Sequence, residues 1–492
     1  DIVPDERLLA DDRLNFIGKP IALVLAETAA QARAAAAKVQ LDYTELPAIL
    51  DVAQAYAQGH TFGPPRRLVK GDPAQAFQQA RWIAERQVET PAQEHLYFET
   101  QAALAIPQDG DRLHLYCTSQ NPSGIQRFAA RVLNRPMHAI HVEVPRLGGA
   151  FGGKEEQTKP WALLAALGAA LTGRPVRLVL NRPEDLHWTG KRHPYRIHYR
   201  LGADADGRLL AYDVLFLQDG GAVADLSTAV LERTLFHATN AYAIEHTDSR
   251  AVSCRTHHPS NTAFRGFGAP QAILALECAL DQLSRISGRP RWQLQATNLV
   301  APGYAFPYGM VLDSQAVHTC WHHLWESRQI QARLQAIEQH NQREPRQRRA
   351  LALTPLCFGI AFTATHLNQG CATVNVYTDG SVGIAISAVE MGQGLFEKVR
   401  AIASRCFELP LERIRVDFTH TARTPNMPPT AASVCTDLSG IATLQACTDL
   451  RERLRAFAAT RLGLDPACVE LQGGVFRASN DLTGGVTWDA LV

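Results

Sequence analysis

Residues 145–156 read Pro145-Arg146-Leu147-Gly148-Gly149-Ala150-Phe151-Gly152-Gly153-Lys154-Glu155-Glu156, and the reading of this stretch decides the fold. Upstream, 138–144 alternates polar and apolar residues in the manner of a half-buried strand. Downstream, 161–171 is rich in Ala and Leu, both good helix formers, and is closed by Gly173 and Pro175. A strand, a glycine-rich turn and a helix start make an anion cradle, because glycines let backbone N–H groups approach closely and a helix N-terminus carries partial positive charge. Residues 148–154 also fit the phosphate-loop spacing G-x-x-x-x-G-K. Glu155 follows, where that loop needs a hydroxyl for magnesium, and a carboxylate there repels phosphate. The stretch reads as an anion cradle of another kind. A nucleotide-binding protein using 148–154 stays as the rival from a different class.

The chain has 492 residues, room for about three domains. With 46% hydrophobic and 20% charged residues it reads as ordinary globular protein. A net charge of +1 provides no general attraction to nucleic acid or anionic membrane. The longest apolar run, 161–171, falls well short of the roughly 18 residues a membrane span needs. The start, Asp1-Ile2-Val3-Pro4-Asp5-Glu6, has neither a signal-peptide pattern nor a Met, so the sequence is expected to begin inside a longer protein. The ten cysteines are scattered with no C-x-x-C, which predicts free thiols in a reducing cytoplasm and neither zinc nor an iron–sulfur cluster on this chain.

Mixed α/β architecture (α+β in class) is expected, in four parts: a partial α/β unit at 1–62, a first large domain at 63–301, a linker at 302–355 and a second, incomplete large domain at 356–492. In the first part 21–26 predicts a strand, 29–39 a helix and 40–43 a second extended segment. Strands are predicted over 81–88, 102–107, 113–118, 174–181, 195–201 and 209–218, the last two as an antiparallel pair. Residues 261–271, Asn261-Thr262-Ala263-Phe264-Arg265-Gly266-Phe267-Gly268-Ala269-Pro270-Gln271, form a second glycine loop before a helix. The four arginines of 343–349 lack interleaved aromatics and read as solvated linker, not as a nucleic-acid patch. His318, Cys320, His322 and His323 have helical metal-ligand spacing but no carboxylate among them. The second large domain is predicted to open with strands at 357–363, 372–378 and 382–389, the last two joined at Asp379-Gly380. Glu390-Met391-Gly392-Gln393-Gly394 then repeats the strand–glycine–helix device, and Thr430-Ala431-Ala432-Ser433 precedes a helix over 439–462.

These loops, in this order, resemble the molybdenum-binding subunit of the xanthine dehydrogenase/aldehyde oxidase family of molybdenum hydroxylases. The carriers are Gln93-Glu94-His95, Thr118-Ser119-Gln120, 148–155, 260–271, Phe362-Thr363, 390–394 and 430–433, and they span nearly the whole chain. The resemblance implies a hammerhead-like α/β domain followed by two large domains that wedge a Mo-molybdopterin between them. It implies that Gln120, Phe151, Gly152, Arg265, Gln393, Ala432 and Ser433 hold the cofactor, with Gln120, Phe151, Arg265 and Ala432 in the vicinity of the molybdenum. Phe267 and Phe362 would sandwich a flat heteroaromatic substrate, Thr363 would offer it a hydroxyl, and Glu155 and Arg233 would face it as catalytic partners together with Gln120.

Within the family, purine oxidisers carry Glu and Arg at the last two places and aldehyde oxidases carry apolar residues. The resemblance therefore implies oxidation of hypoxanthine and xanthine to urate with water as oxygen source. Read singly, Glu155 could also be a first-turn acid, Arg233 a surface ion pair, and the two phenylalanines plain core. Implied too are a small partner subunit carrying 2Fe-2S and FAD, a bacterial cytoplasmic hetero-oligomer, and no nucleic-acid or membrane partner. Ala150 and Ala269 stand where glycines are common in these loops, and Cys435 where a small polar residue is usual. A Gly-Glu-Pro segment, which carries the general base in this family, is not found, so 1–492 alone is expected to be inactive. Another N-heterocycle or an aldehyde as substrate, and a non-catalytic assembly scaffold, remain as alternatives.

Overall fold

A computed structural model describes residues 3–424, 426–480 and 483–492. Two five-stranded sheets build the first large unit. The first has the spatial order Arg66–Lys70, His246–Cys254, Leu209–Asp219, Tyr195–Ala203, Trp82–Thr90, antiparallel throughout except where Leu209–Asp219 runs parallel to His246–Cys254. The predicted hairpin forms with Tyr195 opposite Gln218. Alternate residues Tyr195, Ile197, Tyr199 and Leu201 turn inward and pack under the helices Ser227–Phe236 and Ala269–Ser287. Strand alternation thus makes one apolar face, and two helices cover it.

The second sheet runs Ile140–Val144, Arg112–Cys117, Ala102–Gln108, Val176–Val179, under the helices Pro122–Val132 and Lys159–Thr172. Pro122 at the first turn and the Asn121 side chain, which accepts the Gly124 N–H, start the first of these helices. Gly173 in a left-handed conformation (φ 66°) ends the second. A fifth strand, Thr419–His420, joins this sheet at Ile140–Val144 although it lies in the second large unit. Val389, also from the second unit, is fully buried in the same core, a contribution of about 1.5–3 kcal/mol for such a side chain. The two units therefore share a sheet edge and part of a core.

The second unit has its own three-stranded sheet (Ala372–Val376, Val382–Ile386, Ile414–Val416) under the helices Leu395–Phe407 and Cys435–Leu462. A small sheet of Val469–Gln472, Val475–Ala478 and Val486–Thr487 closes it, with Trp488 buried between Phe407 and Phe476.

Two expectations are corrected. Residues 21–26 and 40–43 pair with no strand among the described residues, and the helix between them, Ala29–Ala36, buries none of its side chains. An apolar run becomes a strand only when its N–H and C=O groups find a ladder partner. Residues 357–363 are likewise not a strand, because side chains and a distant loop take their backbone groups. The segment between the large units folds into helices Ala316–Ser327 and Ile330–Arg343, and Trp321 enters the core of the first sheet. The arginine-rich stretch 343–349 is exposed. All ten cysteines are free thiols.

Candidate functional site

The glycines of 145–156 do not lead straight into a helix; a few residues of irregular turn separate Glu155 from the helix body. Lys154 is fully buried, its Nζ 3.2 Å from Glu99 Oε2 and over the Tyr97 ring. Glu99 also accepts the Gly148 N–H at 2.9 Å. A phosphate-loop lysine has to point into the cradle, whereas this one is spent underneath it, which weighs against nucleotide binding. Gly152 (φ 102°) is required by packing as well, since a Cβ there would lie 2.7 Å from Ala263 O.

Gln120 sits at the centre, buried at 2% exposure. Its Oε1 accepts the Gly152 N–H at 3.0 Å, its Nε2 donates to Thr430 O at 2.9 Å, and its backbone exchanges bonds with Lys154 O and the Thr430 N–H. One amide thus joins the first glycine loop to the small-residue run of the second unit. The Leu147 N–H bonds Glu390 O at 2.9 Å, adding loop 390–394, and the Arg265 N–H bonds Phe151 O at 2.9 Å, adding loop 261–268. The Ala361 N–H bonds Ala432 O at 2.8 Å, which brings in Phe362 and Thr363. Every site residue singled out in the sequence lies on, or within a few residues of, this single hydrogen-bonded junction, apart from Arg233, which reaches it through its side chain.

Arg233 lies on the helix Ser227–Phe236, buried, and donates from Nη1 to Gly359 O and from Nη2 to Ala361 O. Asn240 takes the Cys357 N–H and His237 the Gly359 N–H. This is why 357–363 is not a strand: its ladder groups are spent on Arg233 of that helix and on His237 and Asn240 just past its end, more than a hundred residues away. Each terminal guanidinium nitrogen carries two hydrogens, so Arg233 keeps donors after fixing the segment that bears Phe362 and Thr363. Nothing local in the sequence marks Asn240, His237, Glu99 or Thr430 for these roles.

Five non-glycine residues of the junction have left-handed backbones: Phe151 (φ 56°), Phe267 (φ 53°), Ala361 (φ 74°), Ala432 (φ 63°) and Ser433 (φ 57°). Such conformations cost roughly 1–3 kcal/mol each and gather at functional sites where surrounding packing imposes them. Phe151, Arg265, Gln393 and Ser433 are exposed there. The 390–394 loop is capped from within: Glu390 accepts the N–H groups of Gly392, Gly394 and Phe396, and Gln393 bonds Val389 O and the Met391 N–H. Burial acts to raise the Glu390 pKa, but those three bonds outweigh it and hold the carboxyl below its ordinary range.

Glu155 differs in the opposite sense. Only 4% exposed, it is pushed by burial up to about 8, with Glu156 and Asp225 adding to the shift and Lys159 opposing it. Asp225 is raised too, chiefly by burial, while it holds Thr262 and Gln157. Burial thus favours the neutral form of Glu155, a hydrogen-bond donor, over the carboxylate. Its field also acts on Cys435, at the start of the long second-unit helix.

Metal-ligand geometry appears elsewhere than the sequence spacing suggests. His318, Cys320, His322 and His323 do not form a ligand group among the described residues, whereas His114, Glu143 and His420 bring ligand atoms within 4.8 Å of one another. His420 Nδ1 accepts the Ala422 N–H at 2.9 Å, so its proton resides on Nε2, on the Glu143 side. With His114 Nε2 3.1 Å from Glu143 Oε2, the cluster is a hydrogen-bonded seam between the two units.

Residues 58–299 match one family model described as a molybdopterin cofactor-binding domain, and 323–492 match a second of the same description. Residues 2–47 match the a/b hammerhead domain of aldehyde oxidase and xanthine dehydrogenase. The chain is 37% identical to xanthine dehydrogenase/oxidase of Mus musculus over 93% of its length, and 38% identical to xanthine dehydrogenase of Oryza sativa subsp. japonica over 93%. Aldehyde oxidase 2 of Cavia porcellus is 37% identical over 92%. In each case the chain spans about a third (34%) of the relative's length.

The same fold occurs in quinoline 2-oxidoreductase from Pseudomonas putida 86, with TM-score 0.87, 22% identity, and coverage of 99% of this chain and 64% of that one. It also occurs in the aldehyde oxidoreductase from Desulfovibrio gigas, with TM-score 0.78, 25% identity, and coverage of 92% and 50%. No helix among the described residues is long and apolar enough to cross a membrane. The chain belongs to the xanthine dehydrogenase/aldehyde oxidase family and carries its two molybdopterin cofactor-binding domains.

Proposed function

We propose that this chain forms the molybdenum-cofactor part of an enzyme that oxidises hypoxanthine and xanthine to urate, with water as oxygen source. The observation that carries the purine assignment is that the chain holds both a buried Glu155 on the first glycine loop and a buried Arg233 fastened to the 359–361 backbone. Arg233 is fastened to the segment that presents Phe362 and Thr363. The residues present fit an anionic pterin. Left-handed backbone at Phe151, Ala432 and Ser433 and the exposed Phe151, Arg265, Gln393 and Ser433 belong to the loops of one junction, and Gly152 has no room for a side chain. Gln120, Phe151, Gly152, Arg265, Gln393, Ala432 and Ser433 would hold the cofactor.

When bound, the molybdenum supplies the two-electron redox chemistry. The chain's own residues orient the ring and manage its charge. Phe267 and Phe362 would stack and edge a flat heterocycle. Hydroxylation of a purine builds negative charge on the ring, and the fixed Arg233 guanidinium stabilises it. Glu155, protonated below about pH 8, donates a hydrogen bond to a ring nitrogen or oxygen. The four-part division at 1–62, 63–301, 302–355 and 356–492 belongs to the same proposal, as do a partner subunit with 2Fe-2S and FAD and a cytoplasmic location.

The test is kinetic. The intact complex, made in a host that synthesises the cofactor, should contain molybdenum near stoichiometry and turn over xanthine. Replacing Glu155→Val and Arg233→Met should lower xanthine kcat/KM by a hundredfold or more, because one preorganised charge partner typically contributes about 2.7–4 kcal/mol. Aldehyde turnover should be spared. Equal loss on both substrates would show that the pair is structural and remove the purine assignment.

A further inference from the structure

The geometry points to His95 and Arg192 as positioning residues that set the spacing between the two glycine loops of the cofactor site, a role that rests on the function proposed above. Neither residue lies on those loops. His95 comes from the connection after the strand Trp82–Thr90, and Arg192 from the segment before Tyr195–Ala203.

Phe264 is held between them. The His95 ring stacks on it at 4.4 Å between centres and 20° between planes, and the Arg192 guanidinium lies 3.9 Å from the same ring centre. Two groups that close to one ring centre have to occupy opposite faces, so the order is imidazole, phenyl, guanidinium. The residues on either side of Phe264 are tied to the same pair: His95 Nε2 lies 2.7 Å from Ala263 O, and Arg192 Nη2 donates to Arg265 O at 3.0 Å.

Those two residues are the anchor points of the other loop. Gly152 sits against Ala263 O, and the Arg265 N–H bonds Phe151 O. His95 also touches the first loop directly, since a Cβ on Gly153 would meet His95 Cγ at 2.7 Å. A single imidazole therefore lies between Gly153 of one loop and Phe264 of the other and acts as their spacer.

The clamp is braced from behind. Arg192 Nε donates to Gln93 Oε1 at 2.8 Å, the Arg192 N–H to Gln93 O at 2.9 Å, and the Thr262 N–H to Lys191 O at 3.0 Å. Lys191 pairs with Glu94 at 2.7 Å. This accounts for all of Gln93-Glu94-His95, whose side chains have no place in the proposed chemistry. Burial lowers His95 to about 4, so the ring stays neutral through the working range and Nε2–H donates steadily to Ala263 O.

Arg192→Lys keeps the charge but loses the flat stacking face and the forked bonds. His95→Phe keeps the stack and loses the bond to Ala263. Two readouts on the intact enzyme test the clamp. In cofactor-free protein, hydrogen exchange at the amides of 263–268 should accelerate at least tenfold in Arg192→Lys, with the strand Tyr195–Ala203 unchanged, and less in His95→Phe. In cofactor-loaded protein, kcat per bound molybdenum should fall about tenfold in Arg192→Lys while KM for xanthine stays within twofold.

Unchanged exchange in 263–268 would overturn the inference. So would a variant that merely holds less molybdenum and turns over normally per metal atom, because that is the mark of a structural residue. If the parent enzyme contained no molybdenum, the proposed function would fall, and the exchange measurement would still decide whether the clamp sets the loop.

Discussion

Loops 145–156 and 390–394 use the same residue types after a strand, yet their glycines are needed for different reasons. In the first, Gly152 and Gly153 are glycines because other chain segments press on them: a Cβ would fall 2.7 Å from Ala263 O in one case and 2.7 Å from His95 Cγ in the other. In the second, Gly392 (φ 105°) and Gly394 (φ 75°) have nothing within 4 Å and are needed only for their backbone angles. The N–H groups differ in the same way. Glu390 fills its own loop and helix end, whereas the first loop receives Glu99 and Gln120 from 49 and 32 residues away. A self-sufficient loop is portable, and one built from distant parts is a hub of the tertiary structure.

The largest effect should come from Gly152→Ala. A left-handed conformation costs a side chain roughly 1–3 kcal/mol, and overpacking adds roughly 1–3 kcal/mol more. Urea unfolding should show both, together with loss of cofactor. If Gly152→Ala and Gly394→Ala were equally mild, the contrast between the loops would be void.

Next comes pH. With Glu155 near 8 in the fold and an ordinary value of 4.5, the folded protein binds a proton that the unfolded chain has released between those limits. Stability should therefore fall as pH rises from about 4.5 to about 8, by roughly 1.4 kcal/mol for each pH step of one, so a few kcal/mol in all. Glu155→Gln should remove about one proton's worth of this slope in melts recorded across that range, leaving the part that the raised Asp225 contributes; an unchanged slope would place the titrating group elsewhere.

Glu390 should behave with the opposite sign. Its lowered value means that its contribution is present above the ordinary carboxylate range and is lost as pH falls through the folded value. Glu390→Gln should cost about 0.5–2 kcal/mol, the usual worth of a helix cap, seen as a lower thermal midpoint at pH 7 that converges with the parent in acid. Gly394→Ala should cost a similar amount, about 1–2 kcal/mol for the left-handed angle alone, with molybdenum content unchanged.

Local signals carried much of the architecture. Alternation located the hairpin Tyr195–Ala203 with Leu209–Asp219, and Gly173 ended its helix where a left-handed residue was needed. Seven ordered motifs were enough to expect the family and its cofactor, because each depends on residue types at short spacing. What failed was whatever depended on a partner. Residues 21–26 have strand composition but no ladder partner, and 357–363 has strand composition but gives its backbone groups to Arg233, Asn240 and His237.

The sequence by itself therefore determined most of the element types and the loops, and it named the candidate site residues that the fold gathers at one junction. Only the tertiary structure decided that Gln120, which holds Gly152, bonds Thr430 across 310 residues, and that Thr419–His420 completes a sheet of the other domain. It also decided that burial raises the Glu155 pKa well above the ordinary carboxylate range. The reason is physical: backbone propensity and periodicity act over a few residues, whereas hydrogen-bond partners, burial and the pKa values they set depend on which distant segments the fold brings into contact.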